Sequence, residues 1–257
     1  VDNIARGLEL LCNIDFDKAK ESAKEFQKTI KENYDIVPIL ANDNGYQEKE
    51  LELLQNYTDN ETAEKIQAFA VKNAVKETDR ATYQAMEALI HNLNTMNSRA
   101  GAQTPFSSIN YGTDTSAEGR MVIKNVLLAQ EAGLGNGETP IFPIHIFKIK
   151  DGINYNPTDP NYDLFKLACR VSAKRLFPNF SFIDAPYNLQ YYKPGNPDTE
   201  IAYMGCRTRV IGNNYDPSRE IVTGRGNLSF TSINLPRLAI KADHNVGAFF
   251  ESLDAMM

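Results

Sequence analysis

Residues 139–150 read TPIFPIHIFKIK, and apolar side chains recur at every second position toward the end of this segment. Such alternation is typical of a β-strand. Two other segments, 104–111 and 180–184, also have the composition and length of strands. Helical patterns separate the three segments, and strands that alternate with helices favour a parallel sheet. The sequence therefore predicts an α/β fold.

The helices between these strands have recognisable start signals. Thr115-x-x-Glu118 has the spacing of a capping box. In Asp159-Pro160 an acidic cap precedes a proline that suits the first helical position. Both signals place a helix directly after a predicted strand.

The C-terminal part of the chain is rich in loops. Residues 193–226 contain many glycines and prolines, after which 227–235 predict a last strand and 243–257 a closing helix. In parallel α/β proteins, active sites usually lie on loops at the carboxyl ends of strands. We therefore expect functional residues in the loops of this half.

The N-terminal half has a helical pattern. A capping box at Thr58-x-x-Glu61 leads into residues 61–97, which lack glycine and proline and predict one long helix or two stacked ones. A helix of this length either builds a dimer interface or is buried within its own chain. We divide the chain into a helical N-terminal segment, 1–57, and a second part, 58–257.

The composition limits which classes of molecule the chain is expected to bind. With 257 residues, 42% of them hydrophobic, the chain has the composition of a soluble globular protein. The net charge of −6 and the pI of about 5.2 argue against binding to DNA or RNA, but not against a nucleotide ligand. Since no apolar run could span a bilayer and no signal peptide is present, we expect a cytoplasmic protein without a membrane anchor. A start at Val1 instead of Met indicates that the chain is part of a longer one.

Three cysteines are candidates for chemistry. Their odd number, and the absence of C-x-x-C, predict neither a disulfide framework nor an iron–sulfur or zinc site. The three histidines are too far apart to suggest a metal site. Cys206 follows a glycine in YMGCRTR, and two nearby arginines, Arg207 and Arg209, could favour a thiolate or bind phosphate. A buried, unreactive cysteine stays an alternative. Cys12 and Cys169 are expected to pack as small apolar side chains. The residues alone do not name a reaction.

Six segments are similar to anaerobic, glycyl-radical ribonucleoside-triphosphate reductases in sequence, order and spacing. They are 97–113 (NSRAGAQTPFSSINYGT), 133–143 (GLGNGETPIFP), 154–164 (NYNPTDPNYDL), 165–180 (FKLACRVSAKRLFPNF), 203–209 (YMGCRTR) and 224–235 (GRGNLSFTSINL). The resemblance covers about residues 60–240. It implies that the chain is part of a ten-stranded α/β barrel with an inserted finger loop, preceded by long helices.

The resemblance also implies an activity, the radical-based reduction of ribonucleoside triphosphates to 2′-deoxyribonucleoside triphosphates. The family's thiyl-radical cysteine corresponds to Cys206, which would abstract the 3′ hydrogen of the ribose. Asn227 corresponds to a polar residue that would hydrogen-bond the hydroxyls of the substrate. Ser98, Arg99 and Gln103 correspond to a loop between the site for dNTP or ATP effectors and the substrate base.

Further components follow from the family resemblance. The glycyl radical, and a zinc site near it, would lie outside this chain, so the fragment would be inactive alone. A radical-SAM activating enzyme with a 4Fe–4S cluster would install the radical, and formate or a dithiol would be the reductant. The helix before residue 97 would lie in a homodimer interface.

Two other functions are alternatives. A non-catalytic, nucleotide-binding regulatory module of the same fold would also lack the radical region. A different glycyl-radical enzyme, such as an acyl-lyase, would carry a Cys-Cys pair or a Gly-Cys-Val-Glu sequence at the loop, and Arg207 argues against it.

Overall fold

The computed structural model describes residues 1–96, 103–205, 208–210, 213, 216, 218, 224, 226 and 231–257. The chain divides into two units, Val1–Val222 and Thr223–Met257. Within these described ranges, no helix is both long enough and apolar enough to cross a membrane.

Four helices form the N-terminal part: α1 (Asp2–Cys12), α2 (Phe16–Tyr34), α3 (Tyr46–Leu54) and α4 (Asn60–Thr95). All four contribute buried apolar side chains to one cluster, which includes Ile4, Leu8, Phe26, Leu54 and Ile66. Gly7 lets α1 approach α4 closely, because a Cβ there would lie 2.7 Å from Ile66 Cγ2. Cys12 is partly buried against this cluster, as expected for a packed cysteine.

Helix α4 is one continuous helix of 36 residues, which decides between the one long helix and the two stacked ones of the sequence prediction. Its N-cap is Asp59, not Thr58. The Asp59 carboxylate accepts hydrogen bonds from the backbone N–H of Thr62 at 2.9 Å and from its hydroxyl at 2.8 Å. A carboxylate suits this position because it is a strong acceptor beside the positive end of the helix dipole.

Three strands form a parallel sheet in the order β1–β2–β3: β1 (Ser108–Tyr111), β2 (Ile144–Ile149) and β3 (Asn179–Phe182). Helix α5 (Ala117–Ala132) connects β1 to β2, and α6 (Tyr162–Arg175) connects β2 to β3. The prediction of a parallel α/β arrangement is therefore confirmed. β1 and β2 begin later than the sequence predicted, after Pro105 and Pro143, and a proline cannot donate a ladder hydrogen bond.

The predicted helix starts were early by one or more residues. The Ser116 hydroxyl, not Thr115, caps α5 by accepting from the Gly119 N–H at 3.0 Å. Helix α6 begins at Tyr162. Asp159 instead accepts from the N–H groups of residues 155 and 156, so its carboxylate stabilises the preceding turn.

One face of the sheet packs against α5 and α6. The rings of Tyr111, Phe147 and Phe180 are neighbours across the three strands, with centroids 5.8 Å and 6.1 Å apart. They belong to a cluster with buried residues of both helices, including Ile123, Leu127, Leu164, Ala168 and Val171. Side chains alternate along a strand, so Ser108 and Asn110 of β1 lie on the opposite face.

Cys169 is exposed, so the prediction that it packs in the core was wrong. The buried positions of α6 are residues 164, 168, 171 and 175, and residue 169 lies one step beyond this stripe. A helix turns by about 100° per residue, and that rotation carries the Cys169 side chain away from the sheet.

Arg175, at the end of α6, is buried and joins the ends of two helices. Its guanidinium donates to the carbonyls of Glu131 at 2.9 Å, Ala132 at 2.9 Å and Gly137 at 2.6 Å. The carbonyls at a helix C-terminus lack partners within the helix. A cation beside them also interacts favourably with the negative end of the helix dipole. Arg175 thereby caps α5 from a different element.

After β3 the chain forms a short helix, α7 (Pro186–Leu189), a 3₁₀ turn at Pro197–Thr199 and an antiparallel hairpin. The hairpin strands are β4 (Ala202–Met204) and β5 (Thr208–Val210), and Met204 pairs with Thr208. The sequence had indicated this region only as rich in loops.

The described residues of the second unit form two helices, α8 (Leu235–Lys241) and α9 (Val246–Asp254). The closing helix is confirmed, but the strand predicted at 227–235 is wrong for its described residues. Residues 231–234 are irregular, and Asn234 caps α8 by accepting from the Arg237 N–H at 3.0 Å. Asn-Leu-Pro is a helix start signal, with a cap followed by proline in the first turn. Residues 227–230 lie outside the described part.

Candidate active site

Asn110 attaches the hairpin to the sheet. Its side-chain amide donates to the Tyr203 carbonyl at 2.8 Å, and its oxygen accepts from the Tyr203 N–H at 3.0 Å. The amide therefore offers β4 the donor and the acceptor that a neighbouring backbone would offer. A side chain of β1 thus takes the place of a strand partner for β4.

Ser108 makes a second attachment on the same face of β1. Its hydroxyl oxygen accepts a hydrogen bond from the Gly205 N–H at 3.0 Å. Residues 108 and 110 are two apart on the strand, so both side chains point to the face away from α5 and α6. The hairpin is therefore held at two points, directly before residue 206.

Gly205 occupies a position that favours glycine. Its φ of 58° lies in the left-handed region. A Cβ at this position would stand 3.1 Å from Cε1 of Phe106. A side chain at this position would therefore strain the backbone and crowd the Phe106 ring.

Three residues, 205–207, connect the paired residues Met204 and Thr208. Cys206 and Arg207 lie outside the described residues, and so do Ser98, Arg99 and Asn227. Gln103 is described and is exposed. The roles assigned to these residues stay predictions. The structure describes the contacts that hold the hairpin up to Gly205, the residue before Cys206.

A cluster of three charges lies beside the start of β4. Glu200 accepts from Lys148 Nζ at 2.8 Å and from Lys150 Nζ at 3.3 Å. Burial raises the pKa of the Glu200 carboxyl, but the hydrogen bond and charge of Lys148, followed by those of Lys150, outweigh burial, and its pKa lies below the ordinary value. The carboxylate is therefore ionised at neutral pH and ties the segment before β4 to β2.

Two buried asparagines of the segment 154–164 hold the carboxyl ends of β1 and β2. Asn154 and Asn161 both donate to the Gly112 carbonyl, at 3.0 Å and 3.1 Å. Asn154 also accepts from the Lys150 N–H at 2.9 Å. This segment, which carries part of the family resemblance, therefore supports the edge of the sheet where active sites of parallel α/β proteins lie.

The face of the sheet that packs on α5 and α6 contains a buried histidine. His145 is fully buried, and its Nδ1 lies 2.9 Å from the Tyr111 hydroxyl oxygen. Burial lowers the pKa of His145 to about 4 and raises the pKa of the Tyr111 phenol. His145 is therefore neutral at pH 7. Within the described ranges, no group of three His, Cys, Asp or Glu side chains is arranged as metal ligands would be.

The residues that hold the hairpin were not recognisable from the sequence. Ser108 and Asn110 were seen only as part of a strand, and Glu200 as part of a loop-rich segment. The local signal was weak, namely polar residues at alternate positions of a short strand. Their partners lie 97, 93 and 52 residues away in the chain.

Comparisons with known proteins agree with the resemblance. A family model described as anaerobic ribonucleoside-triphosphate reductase matches residues 16–257. Proteins of that name are 35% identical over 178 residues in Salmonella typhimurium, 34% over 189 in Escherichia coli and 37% over 192 in Enterobacteria phage T4.

These alignments cover 69%, 73% and 74% of this chain, but only 24%, 25% and 30% of the relatives. The chain thus spans about a quarter of the length of the proteins it matches. Because the family model covers nearly the whole chain, this protein belongs to the anaerobic ribonucleoside-triphosphate reductase family.

Proposed function

We propose that this chain is the part of an anaerobic ribonucleoside-triphosphate reductase that carries the radical cysteine, Cys206. The observation that carries the proposal is the attachment of the hairpin to β1 through Asn110 and Ser108. Radical transfer between a sulfur and a sugar carbon demands fixed positions, since a misplacement of about 1 Å can cost about 100-fold in rate. A hairpin attached directly before its turn meets that demand.

In the proposed step the Cys206 sulfur takes the hydrogen atom from C3′ of the ribose. An S–H bond forms as the C3′–H bond breaks, and the unpaired electron moves to the carbon. Asn227 would hydrogen-bond the ribose hydroxyls. The 2′ hydroxyl would take up a proton and leave as water. Its replacement by hydrogen would take two electrons and a further proton, which formate, leaving as CO2, or a dithiol, becoming a disulfide, would supply. The Cys206 S–H would then return its hydrogen atom to C3′, which restores the sulfur radical. A glycyl radical outside this chain, installed by a radical-SAM activating enzyme, would generate the sulfur radical.

The parallel sheet would be three strands of the ten-stranded barrel, and the hairpin would be its finger loop. The support is the difference between the two sheet faces. One face packs on α5 and α6, while the other holds the hairpin through Ser108 and Asn110 and the segment before it through Lys148. An inward-facing loop in a barrel would contact the strands from the side opposite the helices.

Effector nucleotides would act through Ser98, Arg99 and Gln103, in the segment that directly follows α4. Helix α4 would form the homodimer interface. In support of this, Ala81, Ala85 and Ala88 are exposed and recur on one face of α4. Small side chains let a second helix approach closely, although dispersion contacts of that kind are individually weak.

The test is Cys206→Ser in the full-length reductase with its activating enzyme. We expect ribonucleotide reduction to be lost while nucleotide binding persists, because an O–H bond is much stronger than an S–H bond and serine cannot carry the radical. Cys169→Ser, at an exposed position on α6, is the matched control and should keep full turnover. Turnover in Cys206→Ser would refute the role of Cys206, whereas nucleotide binding without turnover in the unsubstituted protein would favour the non-catalytic module.

A further inference from the structure

A continuous line of contacts runs from the last turn of α4 to the hairpin. It begins at Asn94, whose side-chain oxygen accepts from the N–H groups of Ile141 at 2.8 Å and Phe142 at 3.0 Å. The Asn94 amide also donates to the carbonyls of Phe142 at 2.5 Å and Ile90 at 2.7 Å. The backbone of Phe142 is therefore fixed relative to α4.

The line continues through two aromatic rings. Phe142 and Phe106 meet edge to face, with centroids 5.0 Å apart and planes inclined at 63°. Edge-to-face pairs of this kind are favoured by the ring quadrupole. Phe106 then lies against Gly205, with Cε1 3.1 Å from the position that a Cβ would occupy.

The exposure of Phe106 is unusual for a residue with these contacts. Its side chain is 65% exposed, so hydrophobic burial contributes little to its position. Its ring contacts the hairpin at the residue before Cys206, whereas Ser108 accepts a hydrogen bond from the N–H of the same residue. Gly205 is therefore confined by a hydrogen bond and by a ring.

We propose that Phe106 is a positioning residue for the loop that carries Cys206, and that Asn94 positions Phe106 through Phe142. This inference rests on the proposed function, since it concerns the placement of the radical cysteine. The contacts from Asn94 through Phe142 and Phe106 connect the end of α4 to the hairpin. They bypass the candidate effector segment, which directly follows α4.

The experiment uses the activated full-length reductase, with turnover normalised to the glycyl radical measured by electron paramagnetic resonance. Phe106→Leu should lower kcat by about 10- to 100-fold, because the loop loses the aromatic ring that limits the position of Gly205. The KM for the ribonucleotide should stay within about twofold, since most binding contacts persist. Phe106→Tyr keeps the ring and should keep most of the turnover. A merely structural role would reduce the amount of folded protein and leave kcat per radical unchanged.

Asn94→Ala provides a second and independent readout. It should lower kcat in the same direction, and Thr95→Ala, on the same turn of α4, is the matched control. In the double variant with Phe106→Leu, the loss should be no greater than in Phe106→Leu alone, because Asn94 acts through Phe106. Additive losses would overturn the proposal.

Hydrogen exchange keeps the test decisive if Phe106→Leu folds poorly. The Gly205 N–H should then exchange faster in Asn94→Ala than in Thr95→Ala, and equal rates would contradict the proposal. Unchanged kcat in Phe106→Leu, beside an inactive Cys206→Ser, would remove the positioning role and leave the proposed function intact. Turnover in Cys206→Ser would instead defeat the proposed function itself.

Discussion

Asn110→Ala should release the hairpin from β1. The substitution removes the hydrogen bonds of 2.8 Å and 3.0 Å to the Tyr203 backbone. Each bond stabilises the docked hairpin by about 1 kcal/mol, so the variant should lose about 2 kcal/mol. This loss shifts the equilibrium between the docked and the undocked hairpin by about 30-fold.

The assay is backbone hydrogen exchange in the full-length protein, followed by mass spectrometry over peptides that contain residues 203 and 205. When closing is fast, the exchange rate follows the opening equilibrium. The Tyr203 N–H loses its acceptor directly and should exchange about 30-fold faster. The Gly205 N–H keeps Ser108 as its acceptor, so faster exchange there would report undocking of the whole hairpin.

Two further variants sharpen this prediction. Asn110→Asp keeps an acceptor for the Tyr203 N–H but places a carboxylate against the Tyr203 carbonyl, and should release the hairpin as well. Ser107→Ala is the control, since the Ser107 hydroxyl bonds only weakly, to the Pro105 carbonyl at 3.5 Å. Exchange at residue 203 that is equal in Asn110→Ala and Ser107→Ala would refute the assignment of Asn110 as the attachment.

Three more predictions concern stability in the same full-length protein. Arg175→Met should destabilise α5 by about 3 kcal/mol, because three carbonyls lose a charged donor; native-state hydrogen exchange of α5 checks this, and Lys174→Met should change little. His145 should cause a loss of about 2 kcal/mol in the free energy of unfolding as the pH falls from ~7.5 to ~5, and His145→Gln should not show this loss. The His145 pKa is about 4 in the folded state, so only the unfolded state gains this proton as the pH falls through that window; equal acid shifts of the thermal midpoint in parent and variant would exclude this. Gly7→Ala should destabilise the packing of α1 on α4 by about 1 kcal/mol, since the clash with Ile66 exceeds the gain in helix propensity. The loss should shrink in an Ile66→Ala background, and thermal unfolding of the parent, the two single variants and the double variant measures this.

The order of elements between residues 104 and 184 could be predicted because its signals are local. The apolar alternation of β2 and the caps between the strands each span a few neighbouring residues. Helix boundaries were less accurate where two capping residues are adjacent, as in Thr58-Asp59 and Thr115-Ser116. Backbone geometry alone decides which of the two accepts the first free N–H groups.

Helix α1 and the exposure of Cys169 could not be predicted from the sequence. The phase of a helix relative to its sheet depends on which neighbour covers it, and an apolar context at residue 169 did not reveal that phase. The strand expected at 227–235 failed in its described part because Asn234 and Pro236 begin a helix there. Local capping chemistry prevailed over β-propensity at that point.

The family was accessible from the sequence alone, and so was the proposal of Cys206 as its radical residue, because the motif around the cysteine is contiguous. Its supports were not, since Asn110 and Ser108 lie almost a hundred residues earlier. Hydrogen bonds between distant segments leave no periodic trace in either of them, and only the folded chain brings their partners within 3 Å. Tertiary structure thus decided how the hairpin is held, while the sequence determined which residue it carries.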